Sequence, residues 1–572
     1  MAIRILPFGA FEGFSDQPVG GAHYYSQGIS PSYFGGGSQF SIINKANSSS
    51  ISGMGNIKGF AKGPGGAIFA QDDAGNILKE ATPGQFDFSI VRSPGGNGSG
   101  IMGDQYGNLL YANGASNNQL GLYDGSSWTD NFESLTVAQH PMDTYEDLRL
   151  IANKNGLAVL FSDGSYNNSA FTLPSSMTIV AVKGGPTGII IGANLGYRSA
   201  IIIWDGFSPS AKYPWKWRNG QILSIDTYGE NWVVKTTRET LITNGVTVKQ
   251  LFGVFDDPLS FRTYDSTNVL PQQMLVVNNS LVFLITSQAN GPLTYEFGKM
   301  KPGLYVYSLT GRVWNYYPVP TGNMIGLDMN SVFADVNFNN RILIGYRDHF
   351  FAENFIAELT PTPPASAVLV TEELGLGHVR YTRGGLFGPT DKSAEALILN
   401  LAPHNATTDP ATLTFNVALK LYNFKRQLWG HAVTNASLSS NKNKLQIDGT
   451  SAANYDAQVG DEVTILEGVN AGAIAHITAI ANDGLSNETW TLDTTFGTAT
   501  ENAVYLQVQP FTLVKKQTFS GLASLKNLYF SINSIKGKQF LAKLVIDGMG
   551  TNLAVEMQTS YFVMDDLGYD QT

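Results

Sequence analysis

The chain has 572 residues, long enough for two to four domains, and only 14% are charged, against about 25% in ordinary soluble proteins. Its net charge is −10, it has no cysteine, and 61 residues are glycine. These figures exclude disulfides, thiolate catalysis and cysteine metal sites. They also argue against helical surfaces rich in Glu, Lys and Arg, and leave an all-β chain with many turns.

The opening "MAIRILPFGAFEGFSDQPVGG" is not a secretory signal, because Pro7 and Gly9 break its short apolar run. No 18-residue apolar span follows, so no membrane-spanning segment is expected. Residues 1–56 are rich in Gly, Ser and Tyr and read as an extended N-terminal arm. Such an arm either carries one or two strands of its own or docks on a neighbouring subunit.

From residue 57 a repeat begins. "LGLYDGSSWTDNF", an apolar run, a tight turn and a polar-aromatic run, recurs as "VLFSDGSYNNSAF", "IIIWDGFSPSAKY" and "ETLITNGVTVKQLF". The turns are marked by Gly75, Asp124, Asp163, Asp205, Asn244, Thr310 and Asp348, and four of the six steps span 38 to 42 residues. Four short strands with their turns need about 40 residues, and Asp-Gly or Asn-Gly supplies the positive φ of a hairpin. Second apolar runs, "MTIVAV", "QILSIDTY" and "QQMLVVN", read as the inner strand of each unit. A lone four-stranded sheet cannot bury both faces, so the units are expected to pack around an axis. Residues 57–359 are therefore expected to form a β-propeller of seven blades. The long step from Asn244 to Thr310 is assigned to loop insertions at 255–271 and 286–303. The rival arrangement is a series of hairpins in a sandwich.

"LTPTPPAS" (Leu359–Ser366) is an extended connector and the clearest domain boundary. Beyond it, residues 360–440 with 509–572 are expected to form a β-sandwich. Within that region "TLTFNVALKLYNFKRQLWGHAV" and "NLYFSINSIKGKQFLAKLVIDG" each read as a long hairpin. Residues 441–508 hold nine acidic and two basic residues, −7 of the total −10, and read as an acidic β-barrel inserted in a loop. The remainder is nearly neutral, so no basic footprint for nucleic acid is visible.

Catalytic chemistry is sparse. The histidines His23, His140, His349, His378, His404, His431 and His476 lack the spacing of a metal pair. "QDDAGN" reads as a hairpin turn, with a cation at Asp72, Asp73 and Asn76 as its alternative. "YDGSSW" resembles the Asp-box of sialidase propellers, but Asp124 and Gly125 are adjacent where that motif separates them, and the match fails. The neighbouring carboxylates Asp256–Asp257 and Glu372–Glu373 face opposite sides of an extended chain. "SPGGNGSG" lacks the Lys-Ser/Thr ending of a phosphate loop. The aromatic clusters "YPWKW" and "VWNYY" could stack on a sugar, but more often pack between blades. No catalytic, cofactor or metal residue is assigned, and the chain is not expected to be an enzyme.

The layout of Gly/Tyr-rich arm, propeller and hairpin-rich β-domains resembles the propeller tail proteins of tailed bacteriophages, of nozzle or tail-hub type. "VGDEVTILEGVNAGAIAHITAI" and "TWTLDTTF" look like the small β-modules inserted in phage structural proteins. The resemblance implies a virion structural protein in the tail. It would act by ring assembly, commonly as a hexamer with other tail proteins, and as a conduit or gate for DNA at ejection. The alternative is a glycan-binding or glycan-cleaving propeller.

Overall fold

The computed structural model describes residues 41–252 apart from 115–117, 137 and 238, and residues 274–277, 279–285, 303–308, 313–321, 326–335 and 341–360. Elsewhere it describes the strands named below and short turns beside them. Two compact units emerge: residues 43–286 with 327–359, and residues 1–42 with 287–326 and 360–572.

Residues 41–360 hold seven four-stranded antiparallel sheets in strict succession, which make up the first unit except that the sixth draws its last two strands from 287–326. The first sheet runs Ile57–Lys62, Ile68–Asp72, Ile77–Glu80, Phe88–Arg92, and the second Asn97–Gly103, Leu109–Gly114, Gln119–Tyr123, Trp128–Ser134. The third runs Met142–Tyr145, Leu148–Asn153, Gly156–Leu160, Tyr166–Thr172, and the fourth Thr178–Gly185, Gly188–Leu195, Arg198–Trp204, Lys216–Asn219. The fifth runs Ile222–Tyr228, Asn231–Thr236, Thr240–Thr243, Val248–Phe252, and the sixth has the order Met274–Val277, Ser280–Ile285, Gly303–Ser308, Val313–Tyr317. The seventh takes Leu327–Asp335, Arg341–Asp348 and Glu353–Thr360, and completes itself with Ser41–Asn47. The fold is a seven-bladed β-propeller.

Its blades join because each sheet has two apolar faces. Phe69 and Ile77 of the first sheet pack with Leu109 and Tyr111 of the second. Leu157 and Phe171 of the third pack with Ile189 and Trp204 of the fourth, and Ile190 of the fourth with Trp232 of the fifth. The ring closes where Ile57 and Phe60 meet Leu343 and Ile356. Near the axis the inner strands crowd. A Cβ on Gly103 would fall inside the contact radius of the Lys62 carbonyl oxygen, and one on Gly184 inside that of Thr144. In the first, second, fourth, fifth and seventh sheets, a bulge near the start of the inner strand raises the local twist.

The apolar runs at 177–182, 221–228 and 272–278 do form inner strands, Thr178–Gly185, Ile222–Tyr228 and Met274–Val277. Each marker residue that the structure describes falls in a different blade, but in two structural positions. Asp124, Asp163, Asp205 and Asn244 lie between third and fourth strands, whereas Gly75 and Asp348 lie between second and third. That offset lengthens the first step, and Gly84, at φ +84°, is the turn in the first sheet equivalent to Gly125. The inserts assigned to 255–271 and 286–303, apart from Gly303, and Thr310, lie outside the described residues.

Part of the N-terminal segment departs from the reading as a separate arm. Ser41–Asn47 is the outer strand of the seventh blade, where the Tyr346 hydroxyl donates to Asn44 Oδ1 at 2.6 Å. This strand, which precedes the first blade in sequence, covers an edge that Glu353–Thr360 would otherwise leave open.

In the second unit one sheet has the order Ala2–Phe8, Ala554–Asp566, Lys392–His404, Lys526–Gly537. The other has His23–Gln27, Ser366–Thr371, Phe540–Asp547, Thr414–Asn423, Phe511–Ser520. They form the β-sandwich. The two long hairpins read from sequence are not hairpins. Thr414–Asn423 pairs with Phe511–Ser520 and Phe540–Asp547, while His431–Leu438 enters the barrel. Lys526–Gly537 and Phe540–Asp547 fall in different sheets. Alternation of apolar residues marks a strand without naming its partner.

The barrel closes in the order His431–Leu438, Lys444–Ile447, Glu488–Leu492, Ile474–Asn482, Glu462–Ile465, Val504–Gln509, around Trp490, Val463 and Ile477. It starts ten residues before the expected 441. Its two ends return to neighbouring sandwich strands, with Tyr422 opposite Phe511. Lys420 of the sandwich and Glu462 of the barrel, both buried, pair at 2.5 Å.

Candidate functional site

The inner strands of all seven blades line a cavity of about 380 Å³ on the propeller axis. This is the size of a small-molecule pocket. Charged side chains reach it from four blades: Lys58 and Lys62 from the first, Asp143 from the third, Lys183 from the fourth and Asp226 from the fifth.

Most of these charges link one blade to another. Lys183 Nζ lies 3.5 Å from Asp143 Oδ1 and 3.3 Å from Asp226 Oδ1. The other oxygen of Asp143 accepts the Gly184 N–H at 2.7 Å, and that of Asp226 accepts the Val276 N–H at 2.7 Å. A continuous polar chain thus runs from the third blade to the sixth. Across the closure, Lys62 Nζ pairs with the buried carboxylate of Asp335 at 3.0 Å. The charge state follows from these contacts. Burial pushes the Asp143 carboxyl above its usual range, opposed mainly by Lys183. The two carboxylates hold the Lys183 ammonium well above the usual lysine value.

His140, fully buried, also borders the cavity. Its ring Nδ1–H donates to the Ala152 carbonyl at 2.7 Å and its backbone N–H to the Ser99 carbonyl at 2.8 Å. Burial pushes its pKa down, so the ring stays neutral. Lys58 has no ion pair among the described residues.

Other residues weighed in the sequence lie elsewhere. Asp72 accepts the Gly55 and Asn76 N–H groups at 2.7 and 2.8 Å, and Asp73 accepts the Asn56 N–H at 2.9 Å. These carboxylates seat the chain entering the first blade. Asp124 accepts from the Ser126 and Ser127 N–H groups and hydroxyls, which is a turn lock. His349 pairs with Asp328 at 2.6 Å, and His476 with Asp493 at 2.9 Å. Trp215 and Trp217 of "YPWKW" lie 5.9 Å apart at the outer edge of the fourth blade. Asp256, Asp257, Glu372, Glu373 and His378 lie outside the described residues. Among the described residues no three His, Asp or Glu side chains gather as a metal site, and no helix is long and apolar enough to cross a membrane.

The sequence reading singled out none of Lys58, Lys62, Asp143, Lys183 and Asp226. A signal existed: Asp143, Lys183 and Asp226 recur at steps of 40 and 43 residues, the blade period.

No protein-family model matches this sequence, and no curated protein does. Among solved structures it is similar to the WD40 β-propeller domain of Doa1, with TM-score 0.39 and 11% identity over 55% of this chain and 96% of that one. It is also similar to a catalytically inactive virginiamycin B lyase from Staphylococcus aureus with quinupristin, with TM-score 0.38 and 11% identity over 56% and 99%. The Pan2 WD40 domain of Neurospora crassa gives TM-score 0.36 and 9% identity over 53% and 89%.

Proposed function

We propose that this chain is a structural component of a phage tail, of nozzle or hub type, working by assembly into a ring with copies of itself and other tail proteins. The observation that carries this reading is the use made of charge at the axis. Lys62, Asp143, Lys183 and Asp226 fasten neighbouring blades to one another. Such an axle suits a part that bears load better than one that turns over a substrate.

As a conduit the protein would act through a lumen enclosed by several copies, six by the family resemblance. Negative-stain microscopy and native mass spectrometry of the purified protein test this. Closed rings of defined copy number, and the protein's presence in purified particles, support it. A monomer at micromolar concentration that shifts in melting temperature with an oligosaccharide would replace it with the glycan-binding alternative.

A further inference from the structure

We propose that the outer edge of the fourth blade docks on the acidic barrel of a second copy of this chain. The inference rests on the ring-assembly reading and names the two surfaces that would meet.

The edge combines aromatic and basic groups. Tyr197, at the tip of the hairpin between Gly188–Leu195 and Arg198–Trp204, is 92% exposed, and Trp217 on the outermost strand is 48% exposed. The tip is held in place: the Gly220 N–H donates to the Tyr197 carbonyl at 2.9 Å, and Gln221 Nε2 to the Gly196 carbonyl at 2.9 Å. Its aromatic ring is thus presented on a fixed backbone, and little ordering entropy remains to be lost on contact.

Arg198, Lys216 and Arg218 stand on the same two strands, where Arg198 lies opposite Asn219 and Ser199 opposite Arg218. None of the three has a carboxylate partner among the described residues. The Arg218 Nε is buried without a hydrogen-bond acceptor there. From Gly206 to Ile225 the sequence has three basic residues and no acidic one. Charges on an outer strand also discourage sheet-to-sheet aggregation. That role needs no exposed Trp and Tyr, whereas Tyr, Trp and Arg together are the composition of interface anchors.

The occupant follows from charge. The chain's excess acid is concentrated in residues 441–508, at −7. Two of these acids, Asp461 and Glu462, are buried, which leaves −5 for the rest of the segment; among the described residues Asp493 is exposed beside His476, and Val459 and Val469 are 62% and 56% exposed. A basic, aromatic edge meeting an acidic barrel on another copy is a heterologous contact. Repeated with a closing rotation, it generates a ring.

The test uses the full chain. Lys216→Glu with Arg218→Glu is compared with wild type by sedimentation across a concentration series at low and high salt. Trp217→Ser serves as a second variant that leaves charge alone, and circular dichroism checks folding. The proposal expects self-association at least tenfold weaker in both variants, and weakening of the wild-type assembly by salt. It also expects the charge-reversed chain, which keeps its barrel, to cap wild-type assemblies at short lengths. A zero-length carboxylate–amine cross-linker applied to a mixture of isotope-labelled and unlabelled copies should join Lys216 of one copy to residues 441–508 of another. Unchanged assembly in folded variants, or Lys216 cross-links confined to one copy, overturns this contact and leaves ring assembly standing. A wild-type chain that stays monomeric overturns both.

Discussion

Removing the ammonium at the axis by Lys183→Met leaves Asp143 and Asp226 without the cation between them. Breaking a fully buried ion pair on one side costs about 3–5 kcal/mol. The Lys183 side chain keeps 31% of its exposure and the two aspartates 20% and 14%. Solvent therefore screens part of the penalty, and about 2–3 kcal/mol is expected. For a unit of this size that lowers the propeller's melting temperature by about 3–5 °C. The pH dependence carries the sign. Burial already raises the Asp143 carboxyl, and Lys183 is the main group opposing that rise. Without Lys183 the folded-state value climbs further above the unfolded one. The protonated acid is then tolerated and the carboxylate is not, so the deficit is smaller at about pH 4 and grows as pH rises through the folded value. Scanning calorimetry of both proteins at acid and mildly alkaline pH reads this directly, and Asp143→Asn added to the variant should recover part of the loss. A variant within about 0.5 kcal/mol of wild type at every pH would refute the view that the axis is fastened by these charges.

Three further outcomes follow from the packing. Gly103→Ala places a methyl group against the Lys62 carbonyl, where only backbone could yield, and should cost at least about 3 kcal/mol by chemical denaturation. Lys420→Met removes the ammonium 2.5 Å from the buried Glu462 carboxylate, leaving His476 Nε2 at 4.0 Å, and should cost about 3 kcal/mol, with Glu462→Gln in the same chain restoring part of it. Hydrogen bonds from the Ser208 hydroxyl and backbone N–H, and from the Phe207 N–H, hold the Asp205 carboxyl down at about 2. Its contribution is present above the unfolded value of 3.8 and lost as pH falls toward 2. The stability gap between wild type and Asp205→Asn should close over that window, as followed by acid titration of the melting temperature. Asn at that place keeps the turn, as Asn244 does one blade later.

The repeat was legible because its chemistry is local. Asp124, Asp163, Asp205 and Asn244 each accept backbone N–H groups two residues on, so the residue that makes the turn also marks it in the sequence. Alternating and continuous apolar runs likewise announced strands, and the acidic insert stood out by charge alone. What the residues could not disclose is which strands pair when they are far apart. Ser41–Asn47 completes a sheet whose other strands begin at Leu327, and Lys62 meets Asp335 across 273 positions. Phe540–Asp547 alternates just as it would in a hairpin, yet its partners are Ser366–Thr371 and Thr414–Asn423. Turn formation is decided within four residues by φ and a side-chain acceptor. Ring closure, the axial ion pairs and the barrel's seat on the sandwich are decided by which apolar faces remain to be covered once every local element has formed.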